Sequence, residues 1–102
     1  MDGRKRTSNK SEDAIIVSIS LYIYQSTVEL QISELKELSR TAGANIVDTF
    51  IQKRNNVDPA TYLGKGKIKS IIDQAVELKC KSIIFNDDLS PSQIKNIQKI
   101  AG

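Results

Sequence analysis

Three short apolar runs alternate with three helix-like stretches along this chain, and that alternation limits its fold more than any other feature. AIIVSIS (14–20) is almost unbroken and rich in β-branched residues, as a strand covered on both faces requires. NIVDTFIQK (45–53) and SIIFN (82–86) read as a second and a third strand. Between the first two, Ser26-Thr27-Val28-Glu29 has the spacing of a capping box. Val28, Ile32, Leu35, Leu38 (or Ser39) and Ala42 then recur at helical intervals, and Gly43 closes the segment. Ile68, Ile71, Ile72, Ala75 and Leu78 line a second helix after Gly66. A third opens at Ser90-Pro91-Ser92-Gln93 and turns Ile94, Ile97, Ile100 and Ala101 inward. The order β-α-β-α-β-α predicts an α/β unit of three layers, with a mainly parallel sheet of three to four strands and right-handed crossovers. A fourth strand is expected after Gly102, so the sequence reads as truncated before a final strand that would otherwise cover a sheet edge. Residues 1–12 lack apolar periodicity and read as a flexible basic tail, leaving 13–102 as the domain.

Residue content removes whole classes of chemistry. The 102 residues include one cysteine, Cys80, and no histidine. An internal disulfide, the common Cys/His metal sites and His-dependent triads are therefore excluded. Cys80 reads as a small buried hydrophobe. With no tryptophan and only Tyr22, Tyr24, Phe50, Tyr62 and Phe85 as aromatics, the core should be aliphatic. The sequence shows no membrane-length apolar run and no signal-peptide core, which points to the cytoplasm.

Charge is unevenly placed. Residues 53–81 hold seven cations (Lys53, Arg54, Lys65, Lys67, Lys69, Lys79, Lys81) against Asp58, Asp73 and Glu77, a local balance of +4 within an overall +3. The centre of this segment is YLGKGKIKS (62–70). A nucleotide P-loop would need glycine five residues before Gly66 and a hydroxyl after Lys67, but Thr61 and Ile68 stand there. The dinucleotide fingerprint fails as well, with Lys69 in the place of its last glycine. Two readings stay open. Gly64, Lys65, Gly66 and Lys67 form an anion or nucleotide site at a helix mouth, or the glycines only permit a sharp turn beneath solvated lysines. Lysines in a first helical turn oppose the helix dipole at about 0.3–1 kcal/mol each, so helix stability does not explain them. Lys53, Arg54, Tyr62, Lys65, Lys67 and Lys69 together suit an RNA backbone, with Tyr62 free to stack on a base. Asp87 and Asp88 follow the third strand, where they read as weak metal candidates or as charges favouring the next helix start.

Residues 34–98 closely resemble the N-terminal domain of the HflX family of ribosome-associated GTPases. Thr-Ala-Gly at 41–43, Gln-Lys-Arg at 52–54, Pro-Ala-Thr-Tyr-Leu-Gly-Lys-Gly-Lys at 59–67, and Leu-Ser-Pro-Ser-Gln at 89–93 with Asn96 carry the likeness. The resemblance implies an α/β domain placed ahead of a helical segment and a GTPase domain. It implies docking on ribosomal RNA of the large ribosomal subunit, in a protein that separates the subunits of stalled or idle ribosomes. GTP and Mg²⁺ would belong to the parent protein and not to this piece, which should hydrolyse nothing. ATP is a further ligand that the resemblance suggests, as an adenine-nucleotide-binding alternative. A purely architectural role, packing on its own GTPase domain, is a third. The family usually has aspartate where this chain has Asn86, which argues against a metal site in the acidic turn. It usually has arginine at Lys95, where a bidentate fork becomes a point charge.

Overall fold

The computed structural model describes residues 12–21 and 25–102, with the side chains of Gln25 and Ser26 outside that description. The tail expected at 1–12 therefore falls outside it, apart from Glu12. Strands β1 (Glu12–Leu21), β2 (Ala44–Arg54) and β3 (Ser82–Phe85) alternate with helices α1 (Gln25–Thr41), α2 (Lys65–Glu77) and α3 (Pro91–Ala101). The sheet has three strands in the order β2-β1-β3, and both pairings are parallel.

The central strand is buried from Ala14 to Ser20, as its unbroken apolar run requires. Its side chains alternate between two cores. Ile15, Val17 and Ile19 meet Ile68, Ile71, Ile72 and Ala75 of α2 and Ile97 of α3. On the opposite face Ile16 meets Val28 and Ile32 of α1. The layers are thus α1, the sheet, and the α2–α3 pair.

β2 carries a bulge that the sequence does not announce. Ala14 pairs with Ile46 but Ile15 pairs with Asp48, leaving Val47 as the extra residue. An unbroken strand would put Ile46 and Phe50 on one face. Here Ile46 packs toward α1 and Phe50 toward α2. Arg54, in step with Phe50, consequently projects on the α2 side.

Several helix faces differ from the expected ones by one position. On α1 it is Ser39 that is buried, while Leu38 is 68% exposed and Ala42 is exposed too. The sequence 28, 32, 35, 39 keeps the helical period, which places Leu38 off the stripe. The cap expected at Ser26 lies within a helix already begun at Gln25. Gly43 closes the helix end as expected, at φ 99°. On α2 the four isoleucine and alanine positions are buried, but Leu78 is exposed and serves as the C-cap. Lys79 adopts φ 59° beyond it, and the Cys80 N–H bonds to the Ala75 carbonyl at 2.8 Å, closing a Schellman turn. On α3 the buried positions are Gln93 and Ile97, not Ile94.

Candidate nucleic-acid interface

The chain leaves β2 at Arg54 and reaches α2 through a loop folded back on itself. Asp58 and Tyr62 exchange two backbone hydrogen bonds of 2.9 Å, and the Asp58 carboxylate accepts from the N–H groups of Ala60 (2.7 Å) and Thr61 (2.9 Å). Those two bonds, joined by the Arg54 charge, hold the Asp58 carboxyl below its usual range. The Arg54 guanidinium donates to the carbonyls of Asn56, at 3.1 Å, and Leu63. Arg54 therefore clamps both ends of the loop, an internal task where only an outward-facing cation was expected.

Tyr62 overturns its expectation more completely. It is 1% exposed and among the largest fully buried side chains. Its ring meets Phe85 edge-on at 5.4 Å and 85°. Its hydroxyl donates to Asp87 and accepts the Ile19 N–H at 2.9 Å. The reason lies at the sheet edge. Asn86 N–H bonds to Val17 carbonyl as the last rung between β3 and β1, so the next inward N–H, that of Ile19, has no strand opposite it. The phenol fills that place. Burial and the Asp87 carboxylate push the Tyr62 pKa well above 10. The backbone at Tyr62 is left-handed, φ 71°, which turns the ring inward while the chain heads out. No stacking platform exists at this residue.

Asp87 is correspondingly bound to Tyr62 rather than free for a metal, and Asp88 is exposed. Among the described residues, no group of three or more His, Cys, Asp or Glu side chains could hold a metal ion. Asn86 donates to Ser18 Oγ (3.2 Å) and Gln31 Oε1 (3.0 Å), tying β3 to β1 and α1.

α3 secures the loop from the other side. Ser90 and Gln93 form the reciprocal capping box that their spacing predicts. The same Gln93 sends its Nε2 to the Asp58 carbonyl at 2.8 Å, and Asn96 donates to the Ala60 carbonyl at 2.9 Å. A helix cap and a loop clamp thus share one glutamine.

What this scaffold presents is cationic. Gly64, at φ 94°, is the N-cap of α2 and supplies no side chain to cap it, and the first turn holds no acidic residue. Gly66 lies one residue inside the helix, with open space about it. Lys53, Lys65, Lys67 and Lys69 are all exposed. Lys69 pairs with Asp73 at 2.9 Å, an exposed i,i+4 contact of a few tenths of a kcal/mol. The four residues do not form one cluster. Successive helical residues turn about 100°, so Lys65 and Lys69 share a side of α2 that Lys67 does not. Lys99 of α3 was not foreseen in the sequence, yet it joins Lys65 and Lys69 around a groove floored by Gly66 and Ile100. Its signal was present only as a lysine one turn beyond Lys95.

The fold and this loop define a small α/β module with a cationic face. A family model described as GTP-binding GTPase N-terminal matches residues 29–102. GTPase HflX of Lacrimispora saccharolytica is 49% identical over 67 residues, covering 66% of this chain and 16% of that protein. GTPase HflX of Caldanaerobacter subterraneus is 34% identical over 101 residues, covering 99% of this chain and 23% of its own length. The corresponding protein of Flavobacterium psychrophilum is 36% identical over 96 residues, 94% and 23%. The chain belongs to the HflX GTPase family, and its similarity lies in that family's N-terminal domain. It spans less than a quarter of the length of these relatives.

Proposed function

We propose that this domain docks an HflX-type GTPase on ribosomal RNA of the large ribosomal subunit in the cytoplasm, so that GTP hydrolysis elsewhere in the protein acts in separating stalled or idle ribosomes. The observation that carries the reading is the uncapped, acid-free start of α2, whose own exposed Lys65, Lys67 and Lys69 follow a loop that five side chains tie down. Arg54, Asp58, Tyr62, Gln93 and Asn96 are used internally. The lysines are not needed for that scaffold, and they oppose the helix dipole. An anionic polymer removes the conflict. Co-sedimentation with purified large subunits tests this. The wild-type chain should pellet in a salt-sensitive manner, and Lys65→Glu with Lys67→Glu should release it. Unchanged pelleting of the double variant would remove the loop from the interface.

A separate observation favours a second, simultaneous contact with the rest of the protein. An apolar groove of about 410 Å³ lies among α2, α3 and the free edge of β3, lined by Ile72, Val76, Cys80, Ile83 and Ile94. Val76 at its rim is 70% exposed. Apolar surface of this kind fits a packing partner better than RNA.

A further inference from the structure

The positive face divides into parts that the sequence runs together. Lys65 and Lys69 stand one helical turn apart, about 6 Å along the axis of α2. Lys99 reaches the same groove from α3, and the groove is an open concavity of about 570 Å³. Lys95 precedes Lys99 by one turn and continues that row on α3. Two helices thus present cations from opposite walls, over a floor of Gly66 and Ile100. The backbone N–H groups of the first α2 turn lie at one end, with no side chain capping them. Asp73 is the acidic partner of Lys69, in an exposed contact that competes weakly.

The groove offers nothing to read a base. Phe50, Tyr62 and Phe85 all pack in the core, so no aromatic face among the described residues turns outward here. Recognition would rest on phosphate charge and spacing alone.

We infer that the α2–α3 groove, with Lys65 and Lys69 on one wall and Lys99 on the other, carries a run of RNA phosphates without regard to base sequence. The inference rests on the RNA-docking reading above and adds to it an RNA-contact residue, Lys99, and a path for the strand. The path runs between the helices rather than along the 53–62 loop, whose arginine and tyrosine are used internally.

Fluorescence anisotropy of this chain with two labelled single-stranded RNAs, equal in length and different in sequence, tests it across a salt series. The two RNAs should bind within about twofold of each other, as backbone-only contact requires. Lys99→Gln and Lys69→Gln should each weaken both equally and flatten the salt dependence by about 0.7 in slope per lysine. Lys36→Gln, on α1 across the sheet, serves as the control and should match wild type. Wild-type slopes in both groove variants, with RNA binding retained, would overturn the groove and leave the docking reading intact. A strong preference for one RNA would overturn sequence-blind recognition. Failure of the wild-type chain to pellet with large subunits would instead overturn the reading on which the inference stands.

Discussion

Removing one oxygen, by Tyr62→Phe, isolates the contact that fixes the loop to the sheet. The ring stays, with its edge-on contact to Phe85 and its burial, so no cavity opens. What disappears is the acceptor for the Ile19 N–H and the donor to Asp87. Asp87 is exposed and takes water in exchange, so its share is small. Ile19 is 5% exposed, and its amide is left without a partner. An orphaned buried N–H costs about 1–3 kcal/mol, which sets the expected loss. At this chain length each kcal/mol lowers Tm by about 4–8 °C. In urea the midpoint should fall by about 0.5–1.5 M at unchanged slope. Hydrogen exchange should show the Ile19 amide losing protection more than that of Val17. The pH arm follows from the raised Tyr62 pKa. The folded state holds the phenolic proton more tightly than the unfolded chain, whose pKa is 10.0. That stabilisation is complete below pH 10 and is lost as pH climbs toward the higher folded value. Wild type should therefore lose stability in strong alkali through this group, and the phenylalanine variant should lack that component. A variant within about 0.5 kcal/mol of wild type, with Ile19 protection unchanged, would refute the reasoning.

Two further outcomes follow from neighbouring contacts. Gln93→Ala removes the capping-box partner and the bond to the Asp58 carbonyl together, and should cost about 1–3 kcal/mol in chemical denaturation, more than Ser90→Ala at about 1 kcal/mol. Cys80 lines the apolar groove, and burial beside the Asp13 and Asp48 carboxylates pushes its thiol pKa up, so alkylation should be slow at neutral pH and faster in mild alkali. In a longer protein that covers the groove, peptide-mapped labelling at Cys80 should fall at least several-fold, and equal labelling would place the packing surface elsewhere.

The layered fold was legible because its signals are local. An unbroken β-branched strand, helical spacing and the Ser90-Pro91-Gln93 opening each declare themselves within a few residues. The bulge at Val47 was not legible, since Ile46 and Phe50 obey the two-residue period of a regular strand while lying on opposite faces. The burial of Tyr62 is hidden for a related reason. Its position between cations suggests exposure, but its partners lie at Ile19 and Asp87, 43 and 25 residues away. Only the register of β1 against β3 reveals that a strand N–H needs an acceptor there. Of the two candidates on α1 the polar Ser39 is buried and Leu38 is not, and on α3 the polar Gln93 takes the buried position beside Ile94. For Gln93 the reason is visible, since its amide satisfies both the helix start and the loop.

Two of the four blocks on which the family resemblance rests, 59–67 and 89–93 with Asn96, prove to be halves of one device. Asp58 and Ala60 give their carbonyls to Gln93 and Asn96, and Tyr62, two residues further on, reaches the strand that β3 leaves short. Residues that look like a binding motif in the sequence are thereby divided by their bonds. Tyr62, Gln93 and Asn96 shape the loop, and Gly64 gives the left-handed step from which α2 starts. Such a scaffold costs conformational entropy at each ordered residue and a strained backbone at Tyr62, the latter on the order of 1–3 kcal/mol. A turn that merely joined β2 to α2 would need neither. The lysines it displays add at most a few tenths of a kcal/mol to the fold, through Lys69 and Asp73, so under the proposed docking the rigidity would serve to hold those cations in a fixed pattern against the phosphates they meet.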